Sequence, residues 1–435
     1  MLYGRRPWEE ELEIVDRVMK RVSDITDPEE MVSEYWNGIA ELIPTDDFLA
    51  LSRRNVEPPE YLITRSSRFT EHFNPWEERH RLPRLSGGVL GEIAYADRPI
   101  VIDDLPARLR ADDPGHFYLE GFQSLIAFPQ YERGKGVNIG ISLFPPGVEF
   151  DRASVPIMHW QASLFGRGTQ SLVLRKQLTA ALAALDRELA VVGEIQRSLL
   201  PQTMPDIPGV DLATSYATSA RAGGDYYDFF PIARSDGGTN WGFFIADVSG
   251  HGTPAAVLMA ITHAIAHTRP GEPMPPGQLL AYVNSHLARS YTTGGNFVTA
   301  FYGVLDPSTR VLTYAVAGHN PPIVLRGERV EHLDGDAGLP LGLVPNERYG
   351  DATFTFTEGD VALFYTDGIT EAPRGGRSPY ELEQFGEGRM IDAARRAGRG
   401  CNAEACVRSI DEDLRAFTLG ESPADDRTLV VARIL

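Results

Sequence analysis

The stretch that most limits what this chain can become is Trp241-Gly-Phe-Phe-Ile-Ala-Asp247-Val-Ser-Gly-His251-Gly252. Its apolar run is short and bounded by a turn, which predicts a buried strand over Trp241–Ala246 rather than a helix. The strand ends in a carboxylate and a glycine-rich turn. Thr253-Pro254 then opens an apolar segment that reads as a buried helix to His267, with Thr253 as its cap and Pro254 at its first position. A strand edge that delivers a carboxylate into a tight turn suits a hard cation. It equally suits an aspartate that only caps the turn.

Three further stretches repeat the arrangement. Gly223-Gly224-Asp225-Tyr-Tyr-Asp228 places carboxylates after paired glycines, ahead of Phe229-Phe230. Val361-Ala-Leu-Phe-Tyr-Thr-Asp367-Gly368 is a second apolar strand that ends in an acid. Asp425-Asp426 stand just before the apolar strand Thr428–Ile434. Acids far apart in sequence but all at strand ends can converge on one edge of a sheet. All-oxygen ligation of this kind selects Mg²⁺ or Mn²⁺ over zinc or copper.

Composition adds boundaries. The 435 residues are enough for two or three domains, and 43% hydrophobic with 23% charged content is ordinary for a globular protein. A net charge of −19 argues against nucleic acid or an anionic membrane as a partner. The two cysteines, Cys401 and Cys406, make neither a disulfide framework nor a zinc site. The N-terminal residues lack the apolar core of a secretory signal, and no apolar run approaches the ~18 residues of a membrane span. A cytoplasmic protein is expected.

Residues 8–42 read as two helices, with a Thr26-Asp27-Pro28 start signal before the second. Short strands follow, at Phe48–Leu51, Tyr61–Ile63, Pro99–Ile102, Ser124–Phe128 and Asn138–Phe144. Residues 158–200 read as one long helix. Leu178, Leu185, Val192 and Leu199 recur every seven residues, and Leu182 and Leu189 interleave with them. That spacing predicts a dimeric coiled-coil seam, broken at Gly193 and Gln196. The same face could instead pack on the helix's own domain. From Pro201 onward, strand pairs joined by short turns predict antiparallel sheets with helices at Gly277–Ser290, Arg389–Arg396 and Ala403–Phe417.

From Glu194 onward the ordered motifs resemble the metal-dependent PPM-type serine/threonine phosphatases, in their bacterial SpoIIE/RsbU-like branch. They are Glu194-Ile-Gln-Arg-Ser-Leu-Leu-Pro201, Gly223-Gly-Asp-Tyr-Tyr-Asp228, Asp247-Val-Ser-Gly-His-Gly252, Ala317-Gly-His-Asn-Pro-Pro322, Gly338-Leu-Pro-Leu-Gly-Leu343, Tyr365-Thr-Asp-Gly-Ile-Thr-Glu371 and Asp425-Asp-Arg-Thr-Leu-Val430. Residues 10–168 resemble a GAF sensor domain, on Leu85-Ser-Gly-Gly-Val-Leu-Gly-Glu, Arg98-Pro-Ile-Val-Ile-Asp-Asp104 and Gly121-Phe-Gln-Ser-Leu-Ile-Ala-Phe-Pro129.

The two resemblances imply an α+β chain: a GAF-like antiparallel sheet over 10–168, a helical linker over 169–200, and a phosphatase αββα sandwich over 201–435. The phosphatase resemblance implies two Mg²⁺ or Mn²⁺ ions. Asp225 and Asp247 would hold the pair, with Asp247 as the bridge and the Val248 carbonyl as a further ligand. Asp367 and Asp425 would complete the second ion's shell. Asp426 would be a supporting acceptor or a ligand of an additional ion, and Asp228 either a ligand or a cap. The catalytic set is then Asp225, Asp247, Asp367 and Asp425. His251 stands four residues after Asp247, which does not match the histidine of the eukaryotic relatives. His319 is expected to organise a turn, and Arg221 to meet either phosphate or solvent. The implied activity is hydrolysis of phosphoserine or phosphothreonine on a signalling protein, an anti-sigma-factor antagonist of STAS type. Control by the GAF domain and its small-molecule or protein ligand would pass through a dimeric helix. The alternative is a catalytically weak or inactive phosphatase fold that acts as a regulatory binding module.

Overall fold

The computed structural model describes residues 2–3, 7–42, 47–71, 73–268, 273–292, 295–375, 383–398 and 400–435. The chain divides into two compact units, Met1–Leu182 and Ala183–Leu435.

In the first unit, helices α1 (Trp8–Ser23) and α2 (Pro28–Leu42) follow a short strand β1 (Leu2–Tyr3). The central sheet has six antiparallel strands in the order β4-β3-β2-β7-β6-β5. They are β2 (Phe48–Ser52), β3 (Glu60–Ser66), β4 (Arg84–Ser86), β5 (Ile100–Ile102), β6 (Ser124–Glu132) and β7 (Lys135–Phe144), with α3 (Gly88–Ala94) and α4 (His116–Leu119) between them. A two-residue strand β8 (Glu149–Phe150) pairs with β1. Leu49, Leu51, Ile63, Leu125 and Ile141 form one face's core together with Val89, Leu90 and Ile93 of α3. On the α2 side lies a cavity of about 400 Å³, lined among others by Tyr35, Trp36, Arg54, Arg65, Trp76 and Phe165.

Helix α5 (Val155–Leu199) is continuous over 45 residues, and the boundary between the units falls within it. No helix among the described residues is long and apolar enough to cross a membrane.

The second unit stacks two five-stranded antiparallel sheets. Strand β9 (Val210–Ala217) is followed by β10 (Tyr226–Ala233), β11 (Thr239–Val248), α6 (Thr253–His267) and α7 (Pro276–Ser290). Next come β12 (Val298–Asp306), β13 (Val311–Ala317), β14 (Ile323–Arg326), β15 (Arg329–His332), β16 (Ala352–Thr355) and β17 (Val361–Tyr365). The one-turn helix α8 (Asp367–Thr370), α9 (Gly386–Arg396), α10 (Ala403–Phe417) and β18 (Arg427–Ile434) complete it. The sheet orders are β10-β11-β12-β13-β16 and β15-β14-β17-β18-β9.

Period-two alternation explains why both faces of the second sheet are apolar. In β17, Ala362 and Phe364 join the core between the sheets, while Leu363 and Tyr365 join the core under α9 and α10. Phe364 stacks on Phe243 of β11 at 5.7 Å across the sandwich. Leu258, Met259, Leu280 and Val283 of α6 and α7 close the other side. The layers are therefore helix, sheet, sheet, helix.

Two strands of the second unit lie outside the sequence expectation, as do β1, β4 and β8 of the first. The stretch after Asp225 continues as β10, and Arg329–His332 pairs with β14 as an edge hairpin. The cap of α6 is Gly252, at φ 76°, one residue earlier than expected, so Thr253 starts the helix.

Candidate active site

Strand direction brings the acids together. Tyr226 pairs with Ala246 in the first sheet, so Asp225, just before β10, lies beside Asp247, near the end of β11. In the second sheet Tyr365 pairs with Leu429, which sets Asp367, after β17, beside Asp425 and Asp426, before β18. All of these ends face the same edge of the sandwich.

Asp225 is fully buried. Its Oδ2 accepts hydrogen bonds from Thr366 Oγ1 at 2.7 Å and Thr428 Oγ1 at 2.6 Å. Its Oδ1 is buried and has no hydrogen-bond partner among the described residues. Burial, and then the neighbouring Asp247, push its carboxyl well above the ordinary range against the pull of those two hydroxyls. Asp247 is pushed up to about 7 by burial and by Asp367 and Asp425. Asp367 is raised by burial, with Glu371 and Asp425 behind it. Asp425 is exposed, and its Oδ1 accepts the Asp426 N–H at 2.8 Å.

Asp426 has a different task. Its Oδ1 accepts from the Ser219 N–H at 2.7 Å and the Ser219 hydroxyl at 3.1 Å. Its Oδ2 accepts from the Gly224 N–H at 2.5 Å. The carboxylate thus clamps the 219–224 loop that leads into Asp225. The Val248 carbonyl faces the same loop, since a Cβ at Gly224 would stand 2.8 Å from that oxygen. Glycine is what allows this approach.

A cluster of carboxylates in which each raises its neighbour, with one buried oxygen orphaned, is an arrangement that a cation relieves. The donors are oxygens throughout, which fits Mg²⁺ or Mn²⁺.

The other candidates make separate contacts. His251 is exposed on the turn before α6. Buried His319 meets Thr299 Oγ1 through Nδ1 at 2.8 Å, and burial lowers it to about 4, so it ties the turn after β13 to β12 as a neutral ring. Arg221 forms a two-pronged pair with Asp186 of α5, both contacts at 2.8 Å. Asp228 lies within strand β10 and caps no helix or turn. Its Oδ2 meets His267 Nε2 at 2.7 Å.

Sequence reasoning gave no role to Thr366, Thr428 or Gln196. Gln196 of α5 is buried, accepting the Gly223 N–H at 2.8 Å and donating to the Gly223 carbonyl at 2.7 Å. The threonines were visible as polar residues at strand ends. Gln196 was visible only as an interruption of the heptads.

The sequence profile of the family described as Stage II sporulation protein E (SpoIIE) matches residues 237–435. The chain is 27% identical over 231 residues to protein IcfG of Synechocystis sp., covering 47% of this chain and 35% of IcfG. It is 28% identical over 252 residues to phosphoserine phosphatase RsbU of Bacillus subtilis, covering 57% of this chain and 70% of RsbU. The match therefore spans only about a third of IcfG's length. Among solved structures, the SiaA-PP2C domain of Pseudomonas aeruginosa superposes with a TM-score of 0.50 at 20% identity, covering 59% of this chain and 99% of that one. This last likeness concerns the fold.

Proposed function

We propose that the C-terminal unit, whose residues 237–435 match the SpoIIE family, is a PP2C-type phosphatase domain and that the chain is a metal-dependent protein serine/threonine phosphatase. The observation that carries this reading is the convergence of Asp225, Asp247, Asp367 and Asp425 on one sandwich edge, with Asp225 Oδ1 buried and without a hydrogen-bond partner among the described residues. Asp225 and Asp247 would hold the two ions with the Val248 carbonyl, Asp367 and Asp425 would complete the second ion's shell, and Asp426 would support them by fixing the 219–224 loop. When bound, Mg²⁺ or Mn²⁺ supplies a hydroxide at neutral pH and neutralises charge on the phosphoryl oxygens. Thr366 and Thr428 fix one oxygen of the Asp225 carboxylate, which would leave Oδ1 to hold an ion.

The substrate class is phosphoserine or phosphothreonine on a signalling protein, an anti-sigma-factor antagonist of STAS type by the family resemblance. We assign residues 10–168 to a GAF-like sensor, 169–200 to the linker and 201–435 to the phosphatase. The six-stranded antiparallel sheet and its 400 Å³ cavity support a sensor that takes a small ligand. Control reaches the site through α5, whose Gln196 holds Gly223 two residues before Asp225. The exposed Leu178, Leu182 and Leu185 support a homodimer through that helix, and the cytoplasm is the proposed location.

The test is Mn²⁺-dependent phosphate release from p-nitrophenyl phosphate and from a phosphoserine protein, beside an Asp247→Asn variant. Loss of at least roughly 100-fold is expected, because even the outer partners of metal ligands are worth 10–100-fold. Undiminished turnover in the variant would sink the mechanism.

A further inference from the structure

The face of β10 turned away from the sandwich interior carries a different set of donors. Alternation along the strand sends Tyr227 and Phe229 into the core between the sheets and Tyr226, Asp228 and Phe230 toward α6. There they meet His263 and His267, spaced by four on one helix face, with ring centroids 4.1 Å apart. We propose that Asp228, His263 and His267 form a second metal site, of the zinc class, that staples β10 to α6.

The geometry supports three ligands converging on one point. One donor atom from each residue lies within 4.8 Å of the others. Asp228 Oδ2 stands 2.7 Å from His267 Nε2 and 3.7 Å from His263 Nδ1. Bonds of about 2.0–2.2 Å in a tetrahedron place donors roughly 3.4 Å apart, so one separation opens slightly and the other closes slightly.

The surroundings orient the donors. The Phe229 N–H donates to Asp228 Oδ1 at 2.7 Å, which leaves Oδ2 turned to the histidines. The Tyr226 hydroxyl donates to Oδ2 at 2.9 Å and lies 3.1 Å from His263 Nδ1. The His267 ring rests on Phe230 at 4.7 Å. Asp228 and His263 are largely covered, while the His267 side chain is 38% exposed, which opens a path for the ion and leaves room for a water ligand.

Donor chemistry separates this site from the acidic one. Two imidazoles with one carboxylate suit zinc, and also nickel or copper, whereas the all-oxygen cluster suits Mg²⁺ or Mn²⁺. The elements it joins matter as well. Strand β10 begins directly after Asp225, and α6 begins directly after the turn that follows Asp247. An ion here fixes the sheet against its helix layer, so binding adds to the stability of the unit.

The test uses the full-length protein, stripped by a chelator and then kept in excess Mg²⁺ so that the oxygen ligands are filled. Titration with Zn²⁺ should give one tight equivalent in the wild type and in Asp367→Asn. His263→Gln and His267→Gln should each weaken it by roughly 100-fold or more. X-ray absorption of the zinc-loaded wild type, which needs no variant to fold, should show two imidazole nitrogens per zinc. A zinc shell of oxygens alone, unchanged affinity in the histidine variants, or no stoichiometric zinc binding in Mg²⁺ would overturn the site.

Discussion

At the scale of single residues, the acidic edge is a region where the fold works against itself until a cation arrives. Asp247 is raised from 3.8 to about 7 by burial and by Asp367 and Asp425. A folded carboxyl raised in this way binds more protons than its unfolded counterpart between those values. Its stabilising contribution is therefore complete below about pH 4 and is lost as pH rises through about 7. Chelator-treated protein should show a melting temperature that falls between roughly pH 4 and pH 8, and millimolar Mg²⁺ should remove most of that fall at pH 8. A flat profile without metal would contradict the cluster's electrostatics. Asp225→Asn should then divide two properties. It removes a buried carboxyl that costs stability at pH 8 whether it is charged or must take up a proton, so the metal-free variant should melt higher at pH 8, by about 2–4 °C for each kcal/mol relieved. The same variant should lose metal-dependent turnover. The carboxylates were legible in the sequence because each stands at the end of an apolar strand, with Asp225 and Asp367 also next to a glycine. Thr366 and Thr428 were not, because their role is set by a partner 141 and 203 residues away. His263 and His267 went unread in the sequence, because their shared carboxylate lies on β10, a strand absent from the sequence expectation.

At the scale of elements, the end of α5 shows why a long helix carries residues that suit neither a helix nor a seam. Gly193 disfavours helix by about 1 kcal/mol relative to alanine. Alanine there would nevertheless place its Cβ 2.0 Å from the Arg221 carbonyl oxygen, a backbone atom with little freedom to retreat. Propensity alone predicts that Gly193→Ala stabilises the protein, and the contact predicts the reverse. We expect the contact to win: a lower melting temperature and a higher Mn²⁺ concentration for half-maximal activity, because the displaced loop carries Asp225. A higher melting temperature with unchanged metal activation would show that α5 does not grip this loop. Gln196→Ala should act in the same direction, leaving a buried N–H and C=O of Gly223 without partners at about 1–3 kcal/mol each. The helix itself was legible from its periodicity, and the main strands of both sheets from apolar runs between turns. The edge strand Arg329–His332 was not, since a hairpin at a sheet margin buries too little to impose alternation on its side chains.

At the scale of the whole molecule, the heptads split into two parts with different surroundings. Val192, Gln196 and Leu199 turn toward their own unit, and Leu199 packs on its core. The alternative of a helix packed on its own domain therefore holds for this end. Leu178, Leu182 and Leu185 remain 60%, 57% and 52% exposed on a continuous helix. Three leucines at a four-three spacing with no apolar cover form a stripe that a second copy of the same helix would bury. The stripe is short, so its contribution to association is modest and concentrated in these side chains. Sedimentation of the full-length chain should show a dimer that dissociates on dilution. Leu178→Lys with Leu185→Lys should shift it to monomer without lowering the melting temperature of the phosphatase unit, since both positions are solvent-exposed in the single chain. The chain's charge of −19 opposes close approach of two copies, so added salt should strengthen the dimer rather than weaken it. An ion-paired interface would respond with the opposite sign, and an unchanged dimer in the double lysine variant would place the contact elsewhere on the molecule.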